Sequence, residues 1–249
     1  VTVIGNIASN KNEITKLGAA SEAYNKTLDE NYDAAFPYYR ELVSKPLQKY
    51  KKGASTTAIY AVRSAGIDPA NGKEKFIKSS GVSTYTYSAN DQVVVGDLTP
   101  DAQGSFGVNV GYKGFYLNAS FLFQWGGQTY NETLINKVEN AKIETENVDK
   151  RVLTERWRYP GDVVPYYDMQ YNRVTKPTSR FVQDYNYLSF SGLSVGYDFK
   201  KELIEKIKLK TLGISFNATD IVRWSSVKEE RGTSYPYARS FSFTLNIGL

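Results

Sequence analysis

The chain has 249 residues, with 31 Lys and Arg against 26 Asp and Glu, and contains neither Cys nor His. Those absences exclude disulfides and thiolate chemistry, and they remove the commonest metal ligand and general base, so no metal site or cofactor is expected. The net charge of +5 comes from acids and bases that alternate, as in Lys228-Glu229-Glu230-Arg231, a solvated surface rather than a nucleic-acid footprint.

The chain opens on Val1-Thr2-Val3-Ile4, inside a predicted strand over residues 1–9 and without Met, a charged n-region or an apolar h-region. No signal peptide is expected there, which points to a processed precursor or a piece of a longer polypeptide. Residues 18–45 set Leu28, Tyr32, Ala35, Tyr39 and Leu42 near helical spacing, predicting a short packing helix in a long connection. A second strand is predicted over 105–112, where Phe106, Val108, Val110 and Tyr112 alternate with Ser105, Gly107, Asn109 and Gly111. Lys113-Gly114 is a two-residue turn signal, and a third strand over 115–125 completes a hairpin. Residues 126–186 read as a long solvated loop in which acids are balanced by bases. Within it Trp157, Tyr159, Tyr166 and Tyr167 flank Pro160-Gly161-Asp162. Such aromatics suit stacking on a sugar or packing on a partner, and a self-packed loop core accounts for them equally well. A fourth strand over 187–199 changes parity at Ser191-Gly192, predicting a bulge. A fifth covers 209–222.

The sixth strand ends the chain. From Ser240 to Leu249 every odd residue is large and apolar and every even one small or polar, so one face of the strand is apolar and the other polar. Phe121, Phe123, Phe243, Leu245 and Ile247 are expected to share an outward apolar face, with Ser120, Gln124, Ser242, Thr244 and Asn246 lining a wet interior. The content of 20 Tyr, 12 Phe and 3 Trp with a negative mean hydropathy suits aromatic girdles around a polar lumen. No run approaches the roughly 20 apolar residues of a spanning helix.

Short links (Lys113-Gly114 and residues 200–208) alternate with long ones (10–104, 126–186 and 223–238), the asymmetry of periplasmic turns and extracellular loops. The predicted class is all-β: an antiparallel transmembrane β-barrel portion with long extracellular loops. Six strands cannot close a membrane barrel, for which about 8 are the minimum, and an open sheet would leave backbone edges in lipid. The whole of residues 1–249 is therefore expected to be the C-terminal part of one larger barrel domain.

Several blocks carry a family resemblance. Asn6-Ile7-Ala8-Ser9-Asn10-Lys11-Asn12-Glu13-Ile14-Thr15-Lys16-Leu17 resembles the N-I-x-x-N-K-N-x-I-x-x-L block of SusC/RagA-type TonB-dependent outer-membrane transporters. Ile59 to Asp68 followed by Gly72, Val95-Gly96-Asp97-Leu98-Thr99-Pro100 before Gly104-Ser105-Phe106-Gly107, and Tyr112 to Phe115 are similar to its next blocks. Arg180-Phe181-Val182, Tyr187-Leu188, Leu193 to Tyr197, Tyr235-Pro236 and Arg239-Ser240-Phe241 follow in the family's order. The resemblance implies about six C-terminal strands of a barrel of about 22. It implies a Gram-negative outer membrane, import of oligosaccharide or peptide driven through TonB, and a SusD-like surface lipoprotein as lid. The plug and the TonB-contacting region lie outside this chain. The terminal-strand assembly signal falls on Phe241, Phe243, Leu245, Ile247 and Leu249, with Leu249 where the family usually has Phe. The family's Asp-rich loop survives only as Asn90-Asp91 and Asp97, and no metal site is carried over. The resemblance implies a transporter and no enzyme, with Trp157, Tyr159, Tyr166 and Tyr167 as candidates for contact with substrate or lid. The alternative is a soluble or surface-attached β-sandwich that binds carbohydrate, in which the apolar faces meet a second sheet instead of lipid.

Overall fold

The computed structural model describes residues 1–31 (29–31 by backbone only), 44–168, 174–228 and 239–249. Two compact units emerge. One comprises residues 1–10, 100–126 and 185–249, and the other residues 11–99 and 127–184.

The first unit is a six-stranded antiparallel sheet of β1 (Thr2–Ala8), β6 (Ala102–Tyr112), β7 (Phe115–Trp125), β10 (Tyr187–Asp198), β11 (Thr211–Ser225) and β12 (Ser240–Gly248). These are the six predicted strands, paired in chain order. β6 starts three residues earlier than its alternation suggests, with Ala102, Gln103 and Gly104 paired to Trp125, Gln124 and Phe123. The β6–β7 turn has both central residues at positive φ, Lys113 at 47° and Gly114 at 92°, which matches the twist of the flanking strands. A Cβ on Gly114 would lie 2.5 Å from the carbonyl oxygen of Asp198, so this turn requires glycine. The predicted bulge is present: between Phe190 and Gly192 the register of β10 slips against both β7 and β11.

Register makes the two faces explicit. Val3, Val108, Ala119, Leu193, Ala218 and Phe241 form one cross-strand row through all six strands. The adjacent row, on the opposite face, is Thr2, Asn109, Asn118, Ser194, Asn217 and Ser242. The bulge is what keeps Leu188 and Phe190 on the same face as Leu193 and Val195. On the apolar face Phe106 stacks on Phe121 at 4.8 Å and Phe121 on Phe190 at 4.7 Å, cross-strand pairs that fix register. On the polar face the Ser194 hydroxyl donates to Asn217 Oδ1 at 2.8 Å. The apolar face is solvent-accessible, with Phe243 79% exposed. A sandwich would place a second sheet there. An exposed continuous apolar face of this extent is the kind of surface that lipid or a partner covers.

Strands of 11 residues such as β7, rising about 3.4 Å per residue and tilted about 45°, cross a band about 25 Å tall. Exposed Trp125 and Trp224 mark one end of that band, and exposed Tyr112 and Phe115 the other. The links at the Tyr112 end are short, and every long connection leaves from the opposite end. Among the described residues no helix is long and apolar enough to cross a membrane.

The second unit is built from the segments read as long connections. Its four-stranded sheet has the order β4 (Ser83–Thr84), β3 (Glu74–Ile77), β2 (Ala58–Ile67), β5 (Gln92–Asp97), and β8 (Gln128–Tyr130) pairs with β9 (Val182–Asp184). The first five residues of β2, Ala58 to Val62, are all buried. A strand covered on both faces has no alternation, so its sequence carries no period-2 signal. A core of Leu134, Ile135, Val138, Val152, Tyr166 and Phe181 forms beside it. Helix α1 (Ala19–Asn31) occupies the first part of the predicted 18–45 helix, while Tyr32, Ala35, Tyr39 and Leu42 lie outside the described residues.

Candidate functional site

Three arrangements in the chain carry chemistry. The first is the aromatic loop of the second unit. The Trp157 indole N–H donates to the carbonyl of Pro69 at 2.9 Å, and the Gly161 N–H donates to the same oxygen at 2.8 Å. The indole covers Gly72, which sits at φ 68°, and a Cβ there would lie 2.6 Å from Trp157 Cδ2. Asp162 Oδ2 accepts from the N–H groups of Arg158 and Tyr159, both at 3.0 Å, tying the loop back on itself. The turn holds Tyr159 out, 72% exposed, with exposed Leu153 and Val163 nearby in sequence. Tyr166 and Tyr167 go the other way. Tyr166 is part of the core, and burial pushes its phenol up to about 12. Tyr167 is buried with its hydroxyl 2.5 Å from Thr175 Oγ1, and burial likewise raises its phenol above the ordinary range. Of the four aromatics, Tyr159 is the one that offers most of its ring to a partner.

The second arrangement is a buried ionic cluster. Arg180 Nε and Nη2 donate to the two carboxylate oxygens of Glu74, both at 2.8 Å, and Nη2 also donates to Glu139 at 2.8 and 3.0 Å. Its Nη1 donates to the carbonyl of Pro165 at 2.6 Å. Glu139 further accepts from Thr175 Oγ1 at 3.2 Å and the Tyr167 N–H at 3.4 Å. Buried Arg156 lies close by and donates to the carbonyls of Tyr167, Val138 and Asp168. Acids of residues 126–186 were expected in a solvated loop, and for Glu139 and Asp149 that expectation is corrected. Both are buried, because each has a guanidinium: Arg180 for Glu139, and Arg151, bonded through Nε and Nη2, for Asp149. A signal existed, since Glu139 follows Ile135 by four residues, a spacing that sets the two on one helical face.

Burial pushes the Glu139 carboxyl up to about 7. Arg180 pulls it back, and Glu74 pushes it further up. The folded form thus holds a proton that the unfolded chain releases near 4.5. Stability of the second unit is therefore expected to decline as pH rises from about 4.5 to 7. Denaturant midpoints across that range should show the decline in the wild type and a flat profile in Glu139→Gln. An equal slope in both would remove Glu139 as the cause.

The third arrangement is the polar face of the sheet. Beside the polar row, Arg223 lies 3.8 Å from the Tyr187 ring centroid and donates to the Tyr185 hydroxyl. Side chains of this type, lining a lumen, set what can pass. The carboxylates of Asp91 and Asp97 are engaged locally: Asp91 accepts from the Ser79 N–H at 2.8 Å and Asp97 from Thr57 Oγ1 at 2.6 Å. The terminal residues Phe241, Phe243, Leu245 and Ile247 lie on the apolar face, opposite Ala218, Phe216, Ile214 and Leu212, and Leu249 follows exposed.

Solved structures share this architecture. The RagAB peptide importer in its open-open state superposes with a TM-score of 0.72 at 18% identity, over 99% of this chain and 26% of that one. A second structure of the RagAB peptide transporter gives 0.70 at 18% identity, over 99% and 27%. The chain has the fold of the matching part of those transporter chains. In sequence it is similar to TonB-dependent receptor P3 of Formosa agariphila (strain DSM 15362 / KCTC 12365 / LMG 23005 / KMM 3901 / M-2Alg 35-1), 24% identical over 180 residues, 64% of this chain and 17% of that protein. No family model matches. The chain spans about a quarter of the solved RagAB chains and 17% of the curated receptor. These relatives are a receptor and transporters, not enzymes. The resemblance read from the sequence blocks is thus borne out at the level of fold, and the open edges at β1 and β12 are those of a partial barrel.

Proposed function

We propose that this chain supplies barrel wall and extracellular loops to a TonB-dependent importer of the Gram-negative outer membrane, as the C-terminal part of one barrel domain. The observation that carries this reading is the pair of adjacent rows, one apolar and one polar, running unbroken through six strands. Lipid on one side and a wet lumen on the other account for both. The cargo class is oligosaccharide or peptide, with the peptide alternative supported by the likeness to a peptide importer. TonB would act through regions outside this chain, and a SusD-like surface lipoprotein would rest on the long connections.

Residues 10–104 and 126–186 are then the extracellular connections, and Tyr159 is the most exposed aromatic among their described residues. Interfaces concentrate their energy in a few Trp, Tyr and Arg side chains, each worth about 2 kcal/mol or more on truncation. Tyr159→Ala should therefore weaken co-purification of the lid lipoprotein and reduce uptake. Trp157→Ala should do the same indirectly, by releasing the turn that presents Tyr159. Tyr166→Ala should destabilise the unit instead. Unchanged lid binding and uptake in Tyr159→Ala would show that the ring is an ordinary surface side chain. Proteolysis of intact cells should cut within residues 10–104 or 126–186, whereas labelling of Lys113 or Lys201 should require a permeabilised outer membrane.

A further inference from the structure

The short link between β10 and β11 has a composition that a solvated turn does not need. It forms a helical turn over Lys201–Ile204 and a tighter turn over Glu205–Ile207, stopped by Lys208 in the left-handed conformation at φ 59°. Ile204 is buried, but Leu203 and Ile207, on either side of it, are each more than half exposed. Around them stand Lys200, Lys201, Lys206, Lys208 and Lys210, against Glu202 and Glu205. The neighbouring hairpin adds Lys113, whose ammonium lies 5.2 Å from the Tyr112 ring. The two links are joined by backbone, the Asp198 N–H donating to the Gly114 carbonyl at 2.8 Å.

This cluster grows directly from the apolar face of the wall. The Phe199 N–H donates to the Leu212 carbonyl at 2.9 Å, and the Lys210 N–H to the Gly248 carbonyl at 2.8 Å. The last apolar row, Leu212 and Ile247, therefore ends within two residues of the lysines. Exposed Tyr112 and Phe115 occupy the same end of the sheet.

We infer that this lysine-rich turn docks on anionic glycerophospholipid headgroups at the bilayer surface faced by the short turns. Leu203 and Ile207 extend the lipid-facing surface into the acyl boundary, while the lysine stems lie along it and carry their ammonium groups to the phosphates. Charge complementarity and continuity with the wall both select phospholipid over a soluble protein. The inference rests on the barrel-wall reading above.

The test uses the whole transporter in nanodiscs of phosphatidylcholine with and without phosphatidylglycerol, reading retained lipid by native mass spectrometry after detergent exchange. The wild type is expected to retain phosphatidylglycerol preferentially. The triple variant Lys201→Gln, Lys206→Gln, Lys208→Gln and the double variant Leu203→Ser, Ile207→Ser should each retain at least about tenfold less. The corresponding triple Lys→Arg variant should match the wild type. A wild type that inserts in the bilayer without lipid preference, or variants that retain phosphatidylglycerol fully, would overturn the docking. So would lysine-dependent capture of a periplasmic protein in place of lipid. A wild type that fails to insert at all would instead refute the wall reading itself, and is seen separately as loss of a heat-modifiable band. The wild-type comparison decides the matter even if a variant fails to assemble.

Discussion

Phe121→Arg should destabilise the wall by about 2–4 kcal/mol, the cost of a cation on the lipid face near the middle of the bilayer. Phe121 lies near the centre of β7 and is the middle ring of the Phe106–Phe121–Phe190 stack. The mutation therefore places charge in lipid and breaks two aromatic contacts at once. Asn118→Arg, on the same strand three residues away, faces the opposite side among Asn109 and Ser194 and should cost far less. Urea titration of the refolded full-length barrel in lipid vesicles measures both. Equal costs at Phe121 and Asn118 would contradict two faces in different solvents.

Arg180→Ala should cost the second unit about 3–5 kcal/mol, because it strands two buried carboxylates, Glu74 and Glu139, without their shared cation. Glu74 comes from β3 and Glu139 and Arg180 from the later segment, so the cluster ties residues 11–99 to residues 127–184 within that unit. Limited proteolysis should then cut this unit while the heat-modifiable barrel persists. Adding Glu74→Gln and Glu139→Gln to Arg180→Ala should recover part of the loss, since neutral amides are far cheaper to bury than unpaired carboxylates. Equal stability of Arg180→Ala and wild type would show that the cluster is dispensable.

The wall was legible in the residues because each strand meets different surroundings on its two sides, and a period of two records that difference directly. Phe106 to Tyr112, Phe115 to Trp125 and Ser240 to Leu249 all read this way. Even the bulge at Ser191 was visible, as the point where apolar residues switch from even to odd positions. The second unit was hidden for the opposite reason. Ala58 to Val62 is covered on both faces, so no alternation exists to be read. Its stabilising ion cluster joins residues separated by 106 and 41 positions, and no local pattern announces such a partnership. The aromatic loop is the intermediate case. Its residues were singled out, but only the Pro69 carbonyl, Gly72 and Asp162 determine that Trp157 packs down and Tyr159 points out.

Local periodicity and link lengths thus determined the six wall strands, their two-faced chemistry and the end from which the long connections leave. Tertiary structure decided which of those connections fold, which carboxylates are buried and which tyrosine remains available to a partner. The physical reason is that a strand's solvent pattern is encoded in neighbouring residues, whereas burial of Glu74 and Glu139 depends on Arg180, brought from far along the chain.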